Sequence, residues 1–218
     1  MSEATTLNPV IHAAFRRDLE RLENGFAGYD PSIGGSADQL SSTWAYFSHQ
    51  LHAHHHDEEA FFWPAFRDLG VDPAIIRSLE DEHVVMVAAL GDADEAMKTF
   101  AMNPSAEHGR AAHSAIAELK RVLYDHLTHE QRDLDPFSIR HKRTPQHKAA
   151  ERSARKAHTE GAGNFFAWLL DDADAETTRI VRGEVPPPVL WLLTRIGGRR
   201  YRSIAKNGTG WLLTPARG

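Results

Sequence analysis

The sequence contains no cysteine. That excludes a disulfide framework, a thiolate zinc site, a cysteine-held iron–sulfur cluster and a cysteine nucleophile. No apolar run approaches the ~20 residues that a bilayer-spanning helix needs. The first residues, MSEATTLNP, lack the basic and apolar regions of a signal peptide. A soluble cytoplasmic protein is therefore expected. Strand-like alternation is lacking as well, which leaves helix as the prevailing pattern.

What is abundant is histidine, with 14 in 218 residues. A chain of this length can bury a core unaided. Residues 1–138 hold 11 of the histidines, with 10 Lys/Arg against 23 Asp/Glu. Residues 139–218 hold 15 Lys/Arg against 7 Asp/Glu. The sign change falls near Pro136 to Pro145 and predicts two units, 1–138 and 139–218.

Helix starts are marked by Asn8-Pro9, Asp72-Pro73 and Asn103-Pro104, each a capping side chain before a proline. Ser36 and Gln39 have capping-box spacing. Breaks at 28–35, 70–72 and 103–105 leave helical segments over about 9–27, 37–68, 73–101 and 105–135. Short links make neighbours antiparallel, so the expected fold is all-α, an up-down-up-down four-helix bundle.

Each segment carries an apolar seam at steps of three and four. The first runs His12, Phe15, Leu19, Leu22, Phe26. The second runs Leu40, Trp44, Phe47, Leu51, His54, Glu58, Phe61, Ala65. The third runs Ile76, Leu79, His83, Met86, Leu90, Ala93, Met97. The fourth runs Ile116, Leu119, Leu123, His126, Glu130, then Phe137. The seams are interrupted by His12, by His54 and Glu58, by His83, and by His126 and Glu130. His12 and His54 lie 20 and 22 residues from the centre of their loop, near residue 32. His83 and His126 lie 21 and 22 from theirs, near residue 104. At ~1.5 Å rise per residue, these side chains share one layer. Buried carboxylates are costly unless paired or bound to a cation, so this layer points to metal.

The halves repeat. His54, Glu58 and Pro64 match His126, Glu130 and Pro136, and each half adds one earlier histidine, His12 or His83. Two histidines and one carboxylate form the ligand set of an open non-haem iron site. Two such sets in one layer suggest two metals about 3.5–4 Å apart, with Glu58 and Glu130 as bridges.

These residues resemble the hemerythrin-like, or HHE cation-binding, domain. The likeness rests on Ile11-His12, on His54-His55 with Glu58-Glu59 and Phe62-Trp63-Pro64, on Glu82-His83, and on His126-Leu127 with Glu130, Leu134 and Pro136-Phe137. It covers about residues 9–138. The resemblance implies a non-haem diiron centre with bridging carboxylates and an oxo or hydroxo bridge. Oxygen-carrying members have paired histidines four apart on the third helix, where this chain has Leu79 and Val87 about His83. His55 and Glu59, one step off the seam, are the candidates for an added ligand. A ferritin-like site needs Glu-x-x-His on two helices, and only Glu80 with His83 fits.

His49, His52, His56, His108, His113 and His129 read as surface, and Tyr46 and Tyr124 as core edge. Residues 139–218 read as a basic helical extension that packs on the bundle or a partner, or touches a membrane surface. No nucleic-acid motif is visible. The expected protein binds or reacts with O2, peroxide or NO through two iron ions, although manganese and zinc suit the same ligands. Peroxidase, catalase-like or oxidase turnover is one outcome, and a non-catalytic oxygen or iron sensor is the other. A monomer or homodimer fits either.

Overall fold

Prolines and small polar side chains set the helix starts, with some exchange of partners. Asp72 caps as expected, accepting from the Ala74 N–H at 2.8 Å. Asn8 does not cap its own helix. Its amide donates to Glu130 and Asp135 at 3.0 Å each, because buried carboxylates need donors. Ser105, rather than Asn103, caps the fourth long helix by accepting from the His108 N–H. Ser36 starts its helix with Gly35 as the cap, and its hydroxyl donates to the Ile33 carbonyl.

The structure, a computed structural model, describes residues 5–158 and 161–212, with backbone only over 206–212. Among the described residues there is no strand. The bundle comprises α1 (Asn8–Ala27), α2 (Ser36–Asp57), α4 (Pro73–Met102) and α5 (Ala106–Asp133). A π-helical turn, Glu58–Phe62, joins α2 to the short α3 (Trp63–Asp68).

The predicted seams are buried over most of their length. Phe15, Leu19, Phe47, Leu51, Met86, Leu90, Leu119 and Leu123 belong to the large apolar core. Trp63, Phe66, Val71, Ile76, Leu79 and Leu134 form a second, smaller core at the other end. The second seam departs from expectation after Glu58. Phe61 and Ala65 are only partly buried, whereas Trp63 and Phe66 are fully buried. A π turn holds more residues per turn than an α turn, so it advances the buried register.

Beyond α5 come α6 (Asp135–His141), α7 (Pro145–Ala157), α8 (Ala162–Leu169), α9 (Ala175–Glu184) and α10 (Pro187–Leu192). A second π-helical turn, Leu193–Gly197, precedes α11 (Arg199–Leu212). Helix α11 lies against α1 and α2, and α8 lies against α1. Fully buried Trp168 anchors this contact, its indole N–H donating to Asp18 at 2.6 Å. Arg17 donates to the carbonyls of Trp168 and Asp171, and Arg21 pairs with Asp171 at 2.6 Å. Among the described residues, no helix is long and apolar enough to cross a membrane.

Gly163 allows α8 to meet the second π turn backbone to backbone. A Cβ there would lie 2.5 Å from the Gly197 backbone. Gly163→Ala is expected to push the two segments apart and cost about 1–3 kcal/mol. A lowered urea midpoint with an unchanged slope would register that loss.

Candidate metal centre

The polar layer lies between the two apolar cores, where each long helix replaces core residues by histidine or glutamate. Two groups of side chains bring ligand atoms within 4.8 Å of one another. One is His12, His54, Glu58 and Glu130. The other is His55, Glu58, His83 and His126. Glu58 is common to both. The six seam residues thus come together, and His55 joins them.

The separations are short. His12 Nε2 lies 3.2 Å from His54 Nε2 and 3.2 Å from Glu130 Oε2. Glu58 reaches His54 at 3.1 Å through one oxygen and His83 at 3.4 Å through the other. Glu130 Oε2 is 4.0 Å from His126 Nε2. Several of these atoms nonetheless lack hydrogen-bond partners. Both Glu58 oxygens, Glu130 Oε2, and Nε2 of His55, His83 and His126 are buried and unpartnered. Buried polar atoms are normally satisfied. Unpartnered lone-pair atoms converging on one layer fit a cation.

Adjacent histidines near the end of α2 fall into different groups. Their side chains diverge by ~100° on a regular helix. Here Glu58 starts the turn and faces inward between them, with His54 and His55 directed to the two groups. The apolar seam of the second segment includes His54 but not His55. The doubled histidine before Glu58 is a visible signal, but its use depends on His83 and His126 from other helices.

Glu59 takes a different place. Its side chain is 55% exposed, and it accepts from His83 Nδ1 at 2.8 Å. It lies outside both ligand groups. Glu82 accepts from His126 Nδ1 at 3.0 Å and His129 Nδ1 at 2.5 Å. Such bonds leave Nε2 of His83 and His126 with lone pairs toward the layer. His129 is therefore only partly exposed, held by Glu82 and by Asp133. Glu82 belongs to the Glu82-His83 pair of the resemblance, but its contact with His126, 44 residues away, has no signal in local spacing. Glu80 points elsewhere and pairs with Arg67.

Among the remaining histidines, His49, His52 and His56 are exposed, while His108 and His113 are partly so. Tyr46 and Tyr124 are partly buried, and Trp44 is in the core. Val87 is 52% exposed, and Leu79 is buried in the smaller core.

The electrostatics favour neutral rings at His12, His55 and His126 and one reluctant carboxyl. Burial, reinforced by His54, lowers the His12 pKa to about 3. Burial, with His83 adding, holds His55 well below its ordinary value. Burial likewise lowers His126. At His54 and His83 burial also lowers the pKa, but their contacts with Glu58 reverse the net direction. Burial opposes ionisation of Glu58, yet His54 and His83 hold it well below the ordinary carboxylate value. Burial and the Glu58 charge push Glu130 up to about 8. A cation between them would relieve this like-charge penalty.

Glu82→Ala removes the acceptor that orients His126. It is expected to weaken metal affinity about 10–100-fold. Competition with a calibrated chelator measures that change, while circular dichroism checks that helicity persists.

A four-helix bundle with a buried layer of imidazoles and carboxylates defines a cation-binding helical protein. A family model described as the hemerythrin HHE cation binding domain matches residues 10–138. The chain belongs to that family, and metal-cation binding follows from the membership. Searches of curated proteins and of solved structures give no match.

Proposed function

We propose that this protein holds two iron ions and uses them to bind or react with O2, peroxide or NO. The carrying observation is that Glu58 is shared by two buried ligand groups. One ion would take His12, His54, Glu58 and Glu130. The other would take His55, His83, His126 and Glu58. His55 supplies a fifth imidazole from α2 in place of one from the third long helix. All donors are nitrogen or oxygen, which suits iron and also manganese or zinc.

Bound iron supplies Lewis acidity and redox capacity. The chain positions and shields it. Trp63 covers His83 with ring centroids 4.5 Å apart, and Phe15 lies 5.4 Å from His54. Both rings help exclude water. Asn8 orients Glu130, while Glu59 and Glu82 orient the second group. Two carboxylates would not neutralise two divalent ions, so Glu58 and Glu130 would leave charge for a further anion such as oxide or hydroxide to balance. Residues 1–138 act as the metal unit and 139–218 as its helical extension.

A second reading, an oxygen or iron sensor, rests on Phe15. Its ring touches both His54 and Trp168 of the extension, at 5.4 and 5.2 Å. The deciding experiment combines metal analysis with optical spectra of protein grown in iron. About two irons per chain and a near-ultraviolet oxo-to-iron band support the diiron reading. Zinc, or less than about one iron per chain, overturns it. Repeated removal of added hydrogen peroxide identifies turnover. A band formed in air and lost reversibly under vacuum identifies a carrier or sensor.

A further inference from the structure

The outer face of α10 and the second π turn is apolar where solvated helices are normally charged. Val189 is 47% exposed, Trp191 61%, Leu192 51% and Ile196 54%. The inner face is apolar too, with Leu190 only 5% exposed. A segment apolar on both sides belongs in a covered environment.

This segment is also firmly mounted. Leu190 reaches the large core, and Gly163 packs closely on Gly197. Gly198 is equally crowded, its added Cβ falling 2.7 Å from Ala167 Cβ. Arg202 donates to the Thr194 and Arg195 carbonyls, satisfying acceptors at the π turn. The apolar side chains therefore stand on a supported platform rather than on a fraying end.

Charge selects the partner. Residues 185–218 contain six Lys/Arg and no Asp/Glu. Arg195, Arg199 and Arg200 are exposed beside the apolar face. An indole and aliphatic side chains flanked by arginines match the boundary between acyl chains and headgroups. A like face on a second copy would set arginine against arginine, whereas anionic lipid offers opposite charge and apolar depth together.

We propose that this face docks on anionic phospholipid surfaces, with Val189, Trp191, Leu192 and Ile196 entering the interface and Arg195, Arg199 and Arg200 meeting headgroup phosphates. The docking surface spans no bilayer and requires no metal chemistry, so it stands or falls separately from the iron reading.

The full-length metal-loaded protein is sedimented with phosphatidylcholine vesicles and with vesicles containing phosphatidylglycerol. The expected result is binding to the anionic vesicles that weakens with added salt. The double variant Leu192→Glu and Ile196→Glu should lose about tenfold or more in that binding, with helicity and iron content kept. Arg195→Gln with Arg199→Gln should weaken it and flatten its salt dependence. No binding to anionic vesicles overturns the proposal, as does equal binding by the glutamate variant. A vesicle-independent dimer that the glutamate variant dissociates, without lipid binding, identifies a second copy as the occupant and also overturns it.

Discussion

Glu58→Ala is expected to reduce bound iron from about two ions per chain to nearly none. The size of the effect comes from sharing. Glu58 supplies one oxygen toward His54 and the other toward His83, so one truncation removes a ligand from both groups. His12→Ala touches only the group with Glu130 and should leave the other ion bound more strongly than Glu58→Ala does. Loss of metal should exceed the about 10–100-fold weakening typical of an orienting partner. Metal analysis after gel filtration, with the near-ultraviolet spectrum, gives the answer. Two irons per chain in Glu58→Ala would overturn the shared-ligand assignment. Metal-free Glu58→Ala should stay folded, because the variant deletes a buried carboxylate whose compensation comes chiefly from the site itself.

Trp168→Ala should produce the largest loss of stability outside the metal layer, about 3–5 kcal/mol. The indole is fully buried against Phe15, and its removal leaves a cavity between the extension and α1. It also deprives buried Asp18 of its 2.6 Å indole donor. Trp168→Phe separates these effects. Phenylalanine retains much of the ring volume but not the N–H, so its loss should be nearer about 1–3 kcal/mol. Guanidinium unfolding of the metal-free variants checks both values. An unchanged midpoint for Trp168→Ala would show that this contact adds no stability. The sensor reading adds that Trp168→Ala should shift the iron spectrum of the loaded protein through Phe15.

Much of this arrangement was legible because helices impose a short period. The apolar steps of three and four mark the buried stripes, and Phe15, Phe47, Met86 and Leu123 occupy the core as that period requires. Loop lengths place His12, His54, His83 and His126 at similar heights, and they do meet in one layer. The departures lie where backbone geometry changes. The α-helical spacing of the second seam does not continue past Glu58. The π turn advances it, so Trp63 and Phe66 replace Phe61 and Ala65 inside. Asn8 likewise had the chemistry of a cap, but carboxylates distant in sequence compete for its amide.

By itself, the sequence determined the helical class, the four main seams, the family resemblance and the nitrogen–oxygen character of the candidate site. Composition and periodicity are local properties, so they survive without coordinates. Tertiary structure decided that His55 joins the buried polar layer while Glu59 stands outside both groups, that Glu58 is common to both groups, and that Glu82 accepts from His126 across helices. It also decided which apolar residues of the basic extension remain exposed. These outcomes depend on contacts between segments distant in sequence, which a linear spacing rule does not contain.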